Sequence, residues 1–272
     1  MKYSVSNGLQ IVTRSIRTSL GSEQSQDFVI EEQAIAFVYN GISHAVMMAT
    51  PVDLADFALG FSLSEGIINY KNDLLDLEIE ENELGVELNI TISNRHFNVL
   101  KQKRRTLAGN SGCGLCGLES LQQISNKQQT SLATTPLMNF SIIETALNKF
   151  RDKQILNIQA GGVHAAAFCD IKTGNILLIR EDVGRHNALD KLIGAIQNNE
   201  SIPQSGFIIS SSRASYEMVD KTITAGVNHL VTISAPTSKA IELAKKHHLN
   251  LIGFAREDRQ VIYNESENHI SL

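Results

Sequence analysis

FIISSSRASYEMVDKTITAGVNHLVTISAPTSKAIELAKKHHLNLIGFA, residues 207–255, sets three short apolar runs against two stretches of helical periodicity. The runs cover 207–210, 230–234 and 249–255. They are continuous rather than alternating, the pattern of strands buried on both faces. The stretches between them, 216–226 and 238–248, read as helices. Strand, helix, strand, helix, strand predicts parallel strands with helices packed against them.

Reading outward from this stretch extends the pattern. Two further strands, 163–169 and 175–179, flank the turn Lys172-Thr173-Gly174. Leu189, Leu192, Ile193 and Ile196 mark a helix after them. Upstream, Ser141 and Glu144 form a capping box for a helix that carries Ile143, Ala146, Leu147 and Phe150 on one face. From Asn139 the order is α-β-β-α-β-α-β-α-β, which predicts a largely parallel sheet covered on both faces. The N-terminal half is different. It holds candidate strands at 9–15 and 28–39, and Asn40-Gly41 predicts a hairpin returning along 42–48. Thr50-Pro51-Val52-Asp53 reads as a helix start, with Thr50 as the cap. Leu54, Phe57, Ala58 and Phe61 continue that helix to about Ser64, and 75–79 with 84–92 look like another strand pair. The chain therefore divides into a β-rich domain with one helix (1–108), a glycine-rich loop and linker (109–138), an α/β core (139–263) and a tail (264–272).

Composition narrows the function. The chain has 272 residues, 42% hydrophobic and 19% charged, which excludes disorder as its main state. A net charge of −5 disfavours non-specific nucleic-acid wrapping, so no nucleic-acid partner is expected. No stretch reaches the roughly 20 apolar residues of a membrane span, so no membrane is expected. The start, MKYSVSNGLQIVTRSI, lacks the apolar centre of a secretory signal, and only three Cys occur. Both features point to the cytoplasm.

The sharpest local feature is Cys113-x-x-Cys116, framed by glycines at 109, 112, 114 and 117 in a loop expected to be mobile. A basic run, Lys101, Lys103, Arg104 and Arg105, precedes it. Nearby cations favour the reactive thiolate, although such a run is equally the solvated face of a helix. Structural zinc usually takes four ligands. No second pair exists and Cys169 sits in a strand pattern, so no metal is expected. The second constellation lies at the carboxyl ends of the strands, where α/β sheets bind ligands. It comprises Arg180-Glu181-Asp182-Val183-Gly184-Arg185-His186, Ser211-Ser212-Arg213, Ala235-Pro236-Thr237-Ser238 and Arg256-Glu257-Asp258-Arg259. Ser212, Ser215 and Thr237 are explained as helix caps. Arg185, Arg213, Arg256 and Arg259 on one edge are not, and they suit a phosphate-bearing ligand. Gly161-Gly162-Val163-His164 is a weaker candidate. Its glycines suit close backbone approach, and His164 at a strand start is as often a core histidine.

Together these residues resemble the formate dehydrogenase accessory sulfurtransferase family (FdhD). The stretches that carry the resemblance are TPVDLADFALGFSLSEGII (50–68), GCGLCG (112–117), GGVHAAAFCD (161–170), REDVGRHNALDKLIG (180–194), SSRASYEMVDKT (211–222), SAPTSKAIELA (234–244) and LIGFAREDR (251–259). The resemblance runs from about residue 30 to Tyr263. It implies a cytidine-deaminase-like α/β/α core. It also implies a sulfur carrier that takes persulfide sulfur from a cysteine desulfurase and passes it to Mo-bis(molybdopterin guanine dinucleotide), the cofactor that formate dehydrogenase needs. Cys113 matches the persulfide position, and Cys116 would support release by attacking the inner sulfur. Phe254, Ala255, Arg256, Glu257, Asp258 and Arg259 match the cofactor-binding segment, where many relatives are more basic than Glu257 and Asp258 allow. A homodimer is expected. Deaminase zinc chemistry needs His-x-Glu and Pro-Cys-x-x-Cys. This chain has Gly184-Arg185-His186-Asn187-Ala188 and Ser212-Arg213-Ala214-Ser215 in their places, so deaminase activity is not expected. Two alternatives use the same features: a thiol–disulfide oxidoreductase working through the Cys pair, and a non-catalytic molybdenum-cofactor carrier using the edge alone.

Overall fold

The apolar runs of the C-terminal half become β7 (His164–Asp170), β8 (Ile176–Asp182), β9 (Gly206–Ser210), β10 (His229–Thr232), β11 (Asn250–Arg256) and β12 (Arg259–Asn264). This is a computed structural model, and it describes residues 7–109, 131–203 and 205–267. The six strands form one sheet in the order β12-β11-β10-β9-β7-β8. Three of them, β9, β10 and β11, run parallel, joined by α6 (Tyr216–Thr224) and α7 (Ser238–Lys246). β7 pairs antiparallel with both β8 and β9, and β12 antiparallel with β11. The sheet is thus mixed, where the sequence predicted a largely parallel one. The reason is connection length. β7 turns into β8 through a tight loop held by Asp170, whose carboxylate accepts from the amides of Lys172 and Thr173. A parallel return needs a crossover of a dozen or more residues.

Both faces of this sheet are covered, as predicted. Ala165, Ala167, Cys169, Phe207, Ile209, Val231 and Ile252 pack under α3 (Phe140–Phe150) through Ile143, Ala146, Leu147 and Phe150. Ala166, Phe168, Ile208, Leu230 and Leu251 face the other way, toward α5 (Arg185–Asn198), α6 and α7. Successive residues point to opposite faces of a strand, so one unbroken apolar run serves two cores. The helix α3 starts differently from its predicted box. Asn139 is its N-cap and makes no side-chain cap bond, and Ser141 lies inside the helix.

The N-terminal half adds a two-stranded ribbon, β1 (Leu9–Thr18) and β2 (Gly21–Ile30). It also adds a four-stranded sheet of β3 (Gln33–Tyr39), β4 (Ile42–Ala49), β5 (Leu74–Asn82) and β6 (Gly85–Ile92), in the order β4-β3-β6-β5. The single strand expected over 28–39 divides at Glu31-Glu32. Asn40 and Gly41 make the predicted hairpin, with φ of 46° and 80°. Both positive values suit the tight turn that matches strand twist. α2 (Asn94–Gly109) follows β6, so the basic run does lie on a helix, and Lys101 Nζ sits 4.5 Å above the Phe97 ring.

The helix α1 (Leu54–Ser64) begins after Asp53, whose φ of 55° puts it in the left-handed region. Thr50 does not cap it. The Thr50 hydroxyl instead accepts from the Val183 amide, 3.2 Å away, on the α/β half. α1 crosses α5 with the two backbones in contact. A Cβ on Gly60 would lie 1.7 Å from Asp190 O, and one on Gly194 would lie 1.9 Å from Asp56 O. This crossing makes one continuous core of the two halves: Ile35, Phe37, Leu88, Phe57, Leu189 and Phe168 belong to a single apolar cluster. Among the described residues, no helix is long and apolar enough to cross a membrane.

Candidate functional site

The strand directions decide what meets at the carboxyl edge of the large sheet. β8, β9, β10 and β11 all end there, and β7, running the other way, starts there. His164 is therefore level with Asp182, and Ala166 with Ser210. Past the strand ends the connecting segments stay side by side: Ile233 N donates to Ser210 O at 3.0 Å, Thr237 N to Ala214 O at 2.9 Å, and Phe254 N to Ser234 O at 3.2 Å. The edge is thus built of ordered backbone rather than long loops.

Asp182 organises one end of it. The fully buried carboxylate accepts from Lys191 Nζ at 2.7 Å, Gly184 N at 2.8 Å, Asn187 Nδ2 at 2.9 Å and Thr50 N at 3.1 Å. Lys191 also donates to Thr50 O at 2.8 Å. Burial pulls the Lys191 amine below the ordinary lysine value, and Asp182 works against that pull. These bonds fix the turn from β8 into α5 and set Arg185 and His186 at the helix start. His186 Nε2 lies 2.7 Å from the Glu217 carboxylate at the start of α6. Burial lowers the His186 pKa more than Glu217 raises it.

His164 Nδ1 is 3.2 Å from Ser211 Oγ, and Ser211 Oγ also accepts from Ala165 N at 3.0 Å. Burial and then the charge of Arg185 hold the His164 pKa below the ordinary imidazole value, with Asp182 opposing. Before it, Gly161 and Gly162 have φ of +69° and +77°, and a Cβ on either would meet open space. Their backbone conformation, not crowding, is what calls for glycine.

The predicted residues fall into three groups. Arg185 and Arg213 stand on the edge as expected, and Ser215 and Thr237 cap α6 and α7. Arg180 and Glu181 do not serve the edge. Arg180 pairs with Asp56 at 2.5 Å across to α1, and Glu181 accepts from Leu156 N and Asn157 N, both at 2.9 Å, at the start of α4 (Ile155–Gln159). Ser212 is also not a cap; its hydroxyl lies 3.1 Å from Ser210 Oγ. At the far end of the edge, Glu257 and Asp258 form the two-residue turn between β11 and β12, with Arg256 and Arg259 paired across it. Phe254 has φ of 47° and is 38% exposed, whereas Ala255 is fully buried. Arg256 Nη1 donates to Ile233 O at 2.5 Å and Ala255 O at 2.8 Å. Three strand spacings separate β7 from β11, about 14 Å. Cys113 and Cys116 lie outside the described residues, as do the side chains of Lys103, Arg104 and Arg105. Cys169 is fully buried, and burial pushes its thiol far above the ordinary value.

Sequence reading missed two contacts, His164 with Ser211 and His186 with Glu217. Each joins residues on different elements. The one available signal was the pair of glycines before His164.

Fold and edge together define a mixed α/β protein whose large sheet presents arginines and helix starts at the carboxyl ends of its strands. Comparison with known proteins places it further. The FdhD/NarQ family profile matches residues 30–270, and the chain belongs to that family. It is 46% identical over 257 residues to the sulfur carrier protein FdhD of Acinetobacter baylyi, covering 94% of this chain and 93% of that one. It is also 46% identical over 239 residues to the protein of the same name from Cupriavidus necator, covering 88% and 82%. A solved structure from Desulfotalea psychrophila, described as that of a formate dehydrogenase accessory protein, shares the fold with a TM-score of 0.71. It is 22% identical and covers 94% of this chain and 96% of that one.

Proposed function

We propose that this chain is a sulfur carrier serving formate dehydrogenase in the cytoplasm. The observation that carries the reading is the 46% identity, over 94% of the chain, to a sulfur carrier protein. The cysteine inventory supports it. Of three cysteines, Cys169 is sealed in the core with its thiol held protonated. Sulfur chemistry then falls to Cys113 and Cys116.

In this reading the Cys113 thiolate attacks the terminal sulfur of a persulfide on a cysteine desulfurase. The S–S bond of the donor breaks, its cysteine leaves as thiolate, and Cys113 becomes the persulfide. Cys116 then attacks Cys113 Sγ. A Cys113–Cys116 disulfide forms and hydrosulfide leaves for the molybdenum of the bound substrate, Mo-bis(molybdopterin guanine dinucleotide). A cellular thiol reduces the disulfide and resets the carrier. The substrate has phosphates and guanine groups, and the arginine edge suits it, with Phe254, Ala255, Arg256, Glu257, Asp258 and Arg259 forming one end of the contact. Ala255 contributes backbone there, because its side chain is buried.

The test is incubation with a cysteine desulfurase and cysteine, followed by mass spectrometry of the intact protein and its peptides. The expected result is an adduct of about 32 Da, one sulfur atom, on Cys113, absent in Cys113→Ala, which also fails to activate formate dehydrogenase. A disulfide in wild type with no adduct even in Cys116→Ala, where that release cannot occur, would point to thiol–disulfide exchange. Neither product would point to a cofactor carrier without sulfur chemistry.

A further inference from the structure

The opposite edge of the large sheet, where β9 and β10 begin, holds a cavity of about 460 Å³. Its walls are Phe168, Ile196, Ile202, Pro203, Ala225 and Val227. Ile196 lies in the last turn of α5 and Ala225 directly follows α6. Ile202 and Pro203 lead into β9, and Val227 leads into β10. Phe168 is buried and its ring is seated against Gly206, where a Cβ would lie 2.2 Å from Phe168 Cζ. A small-molecule site adds a few convergent polar groups to walls of this kind. Here the polar side chains that line the cavity, Gln197, Asn199 and Glu200, are exposed or half-exposed at its mouth. The space is shaped for an apolar group that arrives from outside.

The mouth is electronegative. α5 ends there with no basic residue in its last turn, and the exposed Glu200 follows it. The last carbonyls of a helix carry the negative end of its dipole. α7 treats its own end differently, with Lys245 and Lys246 in its last turn. Lys221, the basic residue in the last turn of α6, is buried and meets Asp190 at 2.7 Å. Among the described residues, no Lys or Arg lines the cavity. An apolar side chain flanked by Lys or Arg would match both walls and rim.

The same edge receives the chain as it returns from the stretch that contains Cys113 and Cys116. Leu132 N donates to His247 O at 3.1 Å, and Asn228 Nδ2 donates to Ala133 O at 2.6 Å. His229 Nε2 lies 3.1 Å from Pro136 O. Asn228 and His229 directly follow Val227 of the cavity wall. Leu132, Ile202 and Val227 belong to one apolar cluster.

We propose that this cavity is the docking site of the sulfur donor, a cysteine desulfurase that seats an apolar side chain flanked by Lys or Arg between the ends of α5 and α6. The proposal rests on the sulfur-carrier reading and says where on this chain the donor binds. Donor and cofactor would then use opposite edges of one sheet.

The experiment uses the full chain and a cysteine desulfurase. Ala225→Leu fills the cavity, and Glu200→Lys reverses the charge of its rim. Neither position is fully buried, so the melting temperature should stay near wild type. Calorimetry with the desulfurase, in a Cys113→Ala background and without cysteine, reads docking apart from transfer. Affinity should fall about tenfold in Ala225→Leu. In Glu200→Lys it should fall about threefold at low salt, with the gap closing toward about 1 M. With Cys113 present and cysteine added, the chain concentration for half-maximal transfer should rise by the same factors, while the rate at saturation holds. Loading by inorganic polysulfide, which needs no docking, should not change. Equal desulfurase affinity in both variants, or no binding to the parent chain, overturns the proposal. If Cys113 still takes sulfur in that case, the sulfur-carrier reading survives. If both variants weaken binding but Cys113 of the wild type takes no sulfur, the docking site stands and the carrier reading falls. If the variants change only the mass of the chain in light scattering, the cavity is an interface between copies and the proposal falls.

Discussion

Lys191 and Arg185 stand on the same helix, yet the fold matches one and leaves the other. Lys191 is fully buried and meets Asp182 at 2.7 Å and Thr50 O at 2.8 Å. Lys221 on α6 is treated alike: it reaches Asp190 at 2.7 Å and Ser64 and Glu65 at 3.0 Å. Burial pulls Lys221 down, but Asp190 and Glu65 more than offset it and its amine ends above the ordinary value. These two lysines lie where the β-rich and α/β halves meet. A charge taken from water must be paired to persist there. Arg185, at the sheet's carboxyl edge, is only half-buried and has no ion pair among the described residues. The contrast separates charges that hold the fold from a charge that the fold leaves at its surface.

The largest expected effect comes from breaking a matched charge. Lys191→Met leaves Asp182 buried and uncompensated, which should cost about 3–5 kcal/mol in urea unfolding. Asp182→Asn added to Lys191→Met should recover part of that loss. A single variant within about 0.5 kcal/mol of wild type would show that the pair does not join the halves.

Next comes the crossing that brings those charges together. Gly194→Ala puts a methyl group where Asp56 O already is. Overpacking of this kind costs about 1–3 kcal/mol, and here the neighbour is backbone, which yields least. Thermal melting measures it, and an unchanged melting temperature would mean that α1 and α5 can part without penalty.

Acid should act through the buried histidines. Burial lowers the pKa of His229, and of His164, His186 and His247. The unfolded chain protonates these rings near the ordinary value of 6.5, the folded chain only at lower pH. Between those values the unfolded state binds more protons, so stability is fully present above pH 6.5 and falls as pH drops below it. Denaturation midpoints at pH 8, 6.5 and 5 follow this, and His229→Gln should flatten the slope. An equal slope in that variant would remove His229 from the account.

At the edge, Arg256→Ala with Arg259→Ala should reduce GDP affinity about tenfold or more. Folding stability should stay within about 0.5 kcal/mol, as for most surface changes. Equal GDP affinity in calorimetry would move the ligand elsewhere. The smallest effect belongs to the ribbon, where exposed Arg14 meets Asp27 at 2.6 Å. Arg14→Ala should change stability by about 0–1 kcal/mol. A larger loss would mean that the ribbon's charges do more than decorate it.

Much of the C-terminal half could be read from residues alone. The runs at 207–210, 230–234 and 249–255 are buried on both faces, so apolarity without alternation marked them, and the helices between carry their own periodicity. Asn40-Gly41 marked its hairpin because few residues accept positive φ twice in succession. Ser215 and Thr237 marked helix starts because their hydroxyls reach amides within the same turn. The cationic edge followed from a general rule about strand ends and needed no contact to be known.

What the sequence could not supply is what depends on residues far apart in the chain. Thr50 reads as a cap until Val183, 133 positions away, claims its hydroxyl. Gly60 and Gly194 look like weak points in two helices until the helices cross. Arg180 reads as an edge cation until Asp56 takes it. His164 reads as a core histidine until Ser211, 47 positions on, is brought within 3.2 Å of its Nδ1. Local propensity acts over one turn or one hairpin, and so it is written in neighbouring residues. Pairing of buried charges and close approach of backbones are set by packing, and packing is decided only when the chain is folded.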